Sequence, residues 1–255
     1  MRTIDLNADL GEGYGPWKMG DDAAMLDIVS SANIACGGHA SDPETMFATL
    51  SLAKAKGIVV GAHPSYPDKE GFGRRRLPFS GAEIERFVAA QIGALMGVAA
   101  LVGTSVRYVK VHGALANVAA EDAAIATAIV NAVSAIDKNL ALLAISGTQQ
   151  EKVARTRNIR VYREIYADRG YGDNGNLVSR GQPGAMIDDA EIATDRLLRF
   201  LETGKMPTVS GGQVALDAES ICIHGDSPHA VAMATHIKAA LVSRGLSIAP
   251  FLKTA

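Results

Sequence analysis

One alternation, repeated seven times, constrains this chain more than any other feature: a short apolar run rich in β-branched residues, then a longer stretch of helical character. Strands joined by crossover helices build a parallel sheet whose faces are covered by those helices. The runs fall near 3–8, 33–37, 58–63, 107–112, 141–146, 160–165 and 220–224. Helical stretches fall near 22–30, 43–56, 80–101, 121–135, 148–156, 188–202 and 228–244. Asp42 ahead of Pro43, and Ser80 with Glu83 at capping-box spacing, mark two helix starts. No internal repeat, low-complexity tract or linker divides the 255 residues, so one α/β domain over 1–255 is expected. Seven units suit closure into a barrel, and an open doubly wound sheet satisfies the same alternation. The stretch 166–184 is glycine-rich, polar and without period, and reads as a long loop, of a length that within compact domains is usually functional or disordered.

Composition excludes several classes. With 48 % apolar and 20 % charged residues the chain has the means to bury a core and is not disordered. Lys plus Arg number 25 against 27 Asp plus Glu, and the only dense basic run is Arg74-Arg75-Arg76, so neither a nucleic acid nor a membrane surface is an expected partner. Residues 87–106 carry no charge and reach spanning length, but Gln91, Gly93, Gly97, Thr104 and Ser105 dilute them. That stretch is expected to be a buried helix packed closely through Gly93 and Gly97. Cys36 and Cys222 lie too far apart in sequence to suggest a disulfide framework or a Cys-only zinc site and read as small buried residues. With Asp5 where an export signal would need apolar residues, a cytoplasmic location is expected.

The reactive side chains cluster at the C-terminal ends of the expected strands, where parallel α/β folds place their sites. Period-2 alternation puts Asp5, Asn7 and Asp9 on one side of the first strand, a costly arrangement unless they bond one another or a ligand. Lys110 and His112 point one way at the end of the fourth strand. His39, His63 and His224 end the second, third and last, with Asp226 beyond, so four of six histidines share equivalent places. Histidines and carboxylates so placed can ligate a divalent metal or act as acid and base around a polarised carbonyl. No His-Glu-x-x-His helix is present, and no residue is assigned as a metal ligand. The glycines Gly170, Gly172 and Gly175 match a dinucleotide pattern, but within the polar loop rather than between strand and helix.

On these residues the sequence resembles the LamB/YcsF family, the A subunits of the bacterial ATP-dependent 5-oxoprolinase. The blocks are 4–12 (IDLNADLGE), 31–37 (SANIACG), 61–68 (GAHPSYPD) with Phe72-Gly73-Arg74, then Lys110, 112–115 (HGAL), 167–171 (ADRGY) and His224-Gly225-Asp226. Val111, Ala116, Gly38 and Ser179 depart from the family's usual proline, tyrosine, phenylalanine and proline. The resemblance implies a distorted seven-stranded parallel β/α barrel of the glycoside hydrolase/deacetylase type. It also implies cleavage of 5-oxo-L-proline to L-glutamate with ATP as co-substrate, carried out with two further 5-oxoprolinase subunits.

Under that reading Asp9, Lys110, His112 and His63 are the expected catalytic residues. Asp5, Asn7, His39, Asp168, Arg169, His224 and Asp226 are the expected substrate-binding ones, with Asp168 and Arg169 closing over the substrate as a lid does. Two alternatives stand beside it: a metal-dependent deacetylase or amidohydrolase using Asp9, His39 and His63, and a non-catalytic protein that binds a lactam or sugar without converting it.

Overall fold

The computed structural model describes residues 3–224 and 229–252. In chain order the first half holds β1 (Thr3–Leu10), α1 (Asp22–Met25), β2 (Ser31–Ala35), α2 (Pro43–Ala55), β3 (Val59–His63), α3 (Gly81–Val102), β4 (Val106–Val109), α4 (Gly113–Glu121) and α5 (Ala123–Ile136). The second half holds β5 (Ala141–Ile145), α6 (Gln149–Thr156), β6 (Val161–Tyr166), α7 (Ala190–Thr203), β7 (Lys205–Pro207), β8 (Gln213–Ala215), β9 (Ser220–Cys222), α8 (Ala230–Ser243) and β10 (Ser247–Ile248).

Strands β1 to β6 pair in sequence, all parallel, and β9 pairs with both β6 and β1, so seven strands close into a barrel. Closure decides between the two sheets that the alternation allowed. β10 joins β1 at Thr3 and Ile4, and β9 takes over at Asp5, with Asp5 opposite Ser220 and Asn7 opposite Cys222.

Strand parity sorts the side chains. Ile4, Leu6, Ala8 and Leu10 are buried in the apolar core shared with the helices, while Asp5, Asn7 and Asp9 are buried on the opposite face, inside the barrel. One end of the barrel is plugged by an apolar cluster of Val59, Tyr108, Ala141, Leu143 and Leu252, with Phe251 against Tyr108 and Tyr162. Tyr108 fits because Gly61 lies opposite; a Cβ there would come within 2.3 Å of its ring.

Helix α3 starts where its capping box predicts, with Ser80 accepting from the Glu83 N–H and Glu83 from the Ser80 N–H, and stops at Gly103 in the left-handed region. It is long and apolar enough to cross a membrane, and here it packs in the ring around the barrel between α2 and α5. Its buried stripe is Ile84, Val88, Ile92, Leu95 and Ala99. Gly93 and Gly97 face outward with open space around them, which corrects the expectation of close packing through them.

The helix expected over 121–135 is preceded by a separate one. Asp122 ends α4, caps α5 by accepting from Ala124 and Ile125 N–H, and turns the chain by 119°. The first helix is only the four residues of α1, and the antiparallel pair β7–β8 was not anticipated.

Candidate active site

The inward residues of β1 do bond one another, and the hub is Lys110, just past β4. Its ammonium donates to Asp9 Oδ1 at 2.8 Å, Cys222 Sγ at 3.0 Å and Asn7 Oδ1 at 3.2 Å, and lies 3.3 Å from Glu164 Oε2. Burial disfavours this charge, but Asp9, Cys222 and Glu164 around it keep the ammonium protonated far above its ordinary range. Burial by itself would raise the Asp9 carboxyl; His63 and Lys110 overcome it and hold the group well below the usual carboxylate range. For Glu164 burial wins over Lys110, and the carboxyl is raised.

The network continues downward through Asn33, which donates to Asn7 and Asp9 and accepts from the Tyr108 hydroxyl at 2.6 Å. Asp5 at its base accepts from the hydroxyls of Ser30, Ser31 and Ser220. Burial pushes the Asp5 carboxyl up to about 6.

Above this floor lie three histidines on different strand ends. His63 Nδ1 is 2.7 Å from the Lys110 carbonyl and His112 Nε2 3.0 Å from the Phe72 carbonyl. The remaining nitrogens, His63 Nε2 and His112 Nδ1, face each other at 3.0 Å. Gly113, at φ +59°, lets the chain turn so tightly behind His112 that a Cβ would sit 2.6 Å from the Gly73 carbonyl oxygen. His39 stacks flat on His112 with ring centroids 3.7 Å apart, and its Nε2 is 2.9 Å from Glu12 Oε1. Burial, together with the neighbouring histidines, lowers the basicity of His112 and His39. Glu12, His39, His63 and His112 bring one ligand atom each within 4.8 Å of one another, a buried cluster that could hold a metal ion.

A cavity of about 240 Å³ opens over Asp9, His63 and His112. That is below the roughly 300–1,000 Å³ that drug-sized ligands fill, and suits a small polar molecule. Its far wall carries Tyr166, Arg169 and His224, and its mouth Arg74 and Arg180. His224 Nδ1 lies 2.7 Å from Asp168 Oδ2; with that nitrogen donating, Nε2 keeps its lone pair. Burial raises Asp168, but the His224 contact more than reverses it and the carboxyl is lowered.

The long loop is tied by its own bonds: Arg169 donates to the carbonyls of Ala185 and Val178, and a Cβ on Gly170 would come within 2.0 Å of the Gly184 carbonyl oxygen. Asp168 and Arg169 are buried at its base, so the loop residue reaching the mouth from further along is Arg180.

The expected residues thus divide into two levels. Asp9, His63, His112, Arg169 and His224 line the cavity, and Asp168 stands directly behind His224. Asp5, Asn7, Lys110 and His39 do not line it and lie beneath or beside its floor. Asp226 lies outside the described residues. Not anticipated were Glu164 and Tyr166, which share strand parity in β6, and Glu12, two residues past β1. An acid and a tyrosine two apart in a buried strand were the available signal for the first pair.

Known proteins resemble this chain over nearly its whole length. The LamB/YcsF family profile matches residues 4–255. A 5-oxoprolinase A subunit of Pseudomonas syringae pv. tomato is 49 % identical over 251 residues, covering 98 % of this chain and 98 % of that one. The 5-oxoprolinase A subunit of Azorhizobium caulinodans is 48 % identical over 251 residues, covering 98 % of this chain and 99 % of the relative. Among solved structures, the lactam utilization protein from Thermus thermophilus superposes with a TM-score of 0.90 at 41 % identity, over 97 % of this chain and 99 % of that one. With the same fold and nearly the full length shared, the chain belongs to the LamB/YcsF family.

Proposed function

We propose that this chain is the A subunit of a 5-oxoprolinase, which opens the cyclic amide 5-oxo-L-proline to L-glutamate with hydrolysis of ATP to ADP and phosphate. It works in the cytoplasm with two further subunits. The observation that carries this reading is the full-length similarity to relatives named as 5-oxoprolinase A subunits, joined to a small cavity with a cationic mouth and a polar floor.

An unstrained lactam resists hydrolysis. Phosphorylation of its oxygen by ATP, bound within the complex, makes the ring carbon electrophilic and the oxygen a leaving group. The substrate carboxylate meets Arg74 and Arg180 at the mouth, where a guanidinium pairs well with a planar anion. The ring then lies between the histidine floor and His224. His224, oriented by Asp168, takes the proton of the attacking water through Nε2 and returns it to the ring nitrogen as the carbon–nitrogen bond breaks, leaving an acyl phosphate that a second water hydrolyses to the glutamate carboxylate and phosphate. Lys110 acts through Asp9, whose charge and position it fixes.

The test is glutamate release from 5-oxoproline, with and without ATP, by this chain alone and then mixed with extract from cells lacking only this protein. ATP-dependent glutamate in the mixture is the expected result. No glutamate from an extract that a known A subunit makes competent would overturn the proposal, as would ATP-independent, chelator-sensitive hydrolysis by the chain alone.

A further inference from the structure

We infer that Glu12, His63 and His112 form a binding site for one divalent cation of the zinc class, with an open position facing the cavity. The starting point is hydrogen bonding. A backbone carbonyl only accepts, so His63 must donate through Nδ1 to Lys110 and His112 through Nε2 to Phe72. Those two nitrogens are thereby committed, and the remaining ones, His63 Nε2 and His112 Nδ1, meet at 3.0 Å, with Asp9 Oδ2 3.2 Å from His63 Nε2. Two lone pairs and a carboxylate oxygen at those distances repel unless a cation, a metal ion or a proton, lies among them. Holding the remote ring nitrogen on a carbonyl is also how proteins orient metal-ligating histidines.

The third ligand atom is Glu12 Oε1, buried and 3.5 Å from His112 Nδ1. A tetrahedral zinc ion with ligand bonds of about 2.0–2.1 Å has ligand–ligand edges of about 3.4 Å. The observed 3.0 and 3.5 Å bracket that edge.

His39 belongs to the same cluster but does not fit as a fourth ligand. Its ring is parallel to that of His112 within 2° at 3.7 Å, and parallel planes share no point, so an ion in the plane of one ring is out of the plane of the other. His39 instead donates from Nε2 to Glu12 and holds that carboxylate in place. Three protein ligands with a fourth position toward substrate is the arrangement of catalytic rather than structural zinc sites. His63 and His112 line the cavity, which is where that position opens.

The experiment uses the full chain alone, stripped of metal by chelator and titrated with Zn²⁺ against a chromophoric competitor, with Co²⁺ absorption as a second readout of coordination. One equivalent per chain is expected. H112Q and E12Q should each weaken binding by about 100-fold or more, H39F by about 10–100-fold through the lost hold on Glu12, and Asp168→Asn should leave metal affinity unchanged. Circular dichroism and urea midpoints establish that each variant is folded; if H112Q is not, E12Q and H39F carry the comparison.

Absence of stoichiometric binding, or equal binding by wild type and E12Q, overturns the inference. So does a ¹⁵N spectrum showing an imidazolium at His63 or His112 that does not respond to Zn²⁺, since a shared proton then fills the gap. No substrate, nucleotide or partner is present, so this result is independent of the lactam reading.

Discussion

The barrel floor and the cavity rim are both polar and both largely buried, yet they are built differently. On the floor, Asn7, Asn33, Lys110, Glu164 and Tyr108 satisfy one another, and Asp5 is met by the hydroxyls of Ser30, Ser31 and Ser220. Toward the rim, partners run out: among the described residues Asp168 Oδ1, behind His224, is buried without one, and so is Nδ1 of His39 beneath the stacked His112 ring. A closed network stabilises a fold and has little left for a ligand, whereas an incomplete one reserves its bonding for something else. The strands position the floor, and loops and strand ends position the rim.

Perturbing each region should separate stability from turnover. The largest effect is expected for Lys110→Met, which leaves Asp9 and Glu164 buried without their cation and should cost about 3–5 kcal/mol in urea unfolding. A loss no greater than that of a rim variant would erase the distinction. His224→Gln should lower kcat in the reconstituted reaction by about 10²–10⁴-fold while stability moves by less than about 1 kcal/mol.

Asp5→Asn sharpens the floor side through pH. The carboxyl titrates at about 6 in the folded chain against 3.8 ordinarily, so between those values the folded state holds more protons and stability falls as pH rises. The full penalty, up to about 3 kcal/mol, applies above pH 6. Asn, whose amide the serine hydroxyls can turn to accept, should remove that slope in urea midpoints from pH 4 to 8. The smallest effect is expected for Arg180→Ala: KM for 5-oxoproline up about 10-fold, with kcat and the unfolding midpoint little changed.

Seven strands, their parity and the convergence of Asp9, His63, His112 and His224 were legible because alternation of side chains along a strand is a local rule. Which polar side chains face a ligand and which face one another was not legible. Lys110 and His112 share parity, but one is capped by Asp9 and Glu164 and the other borders the cavity, a difference of one barrel layer. Glu12 escaped notice because Gly11, at φ +67°, turns the chain after β1 and breaks the parity that would have extended to it. The split between α4 and α5 was hidden because Asp122 is followed by helix-favouring alanines and preceded by more of them across Glu121.

The pairing of β1 with β9 also sets a timetable. Asp5 meets Ser220, about 215 residues later in the chain. At roughly 5–20 residues per second of synthesis, the first strand waits on the order of 10–40 s for its last neighbour. During that interval Asp5 and Asn7 lack the Ser220 hydroxyl that they bond in the finished barrel. Barrel closure is therefore a late, long-range event. The nascent chain emerges with an open-edged sheet, and a slow, concentration-sensitive refolding reaction is its signature in vitro.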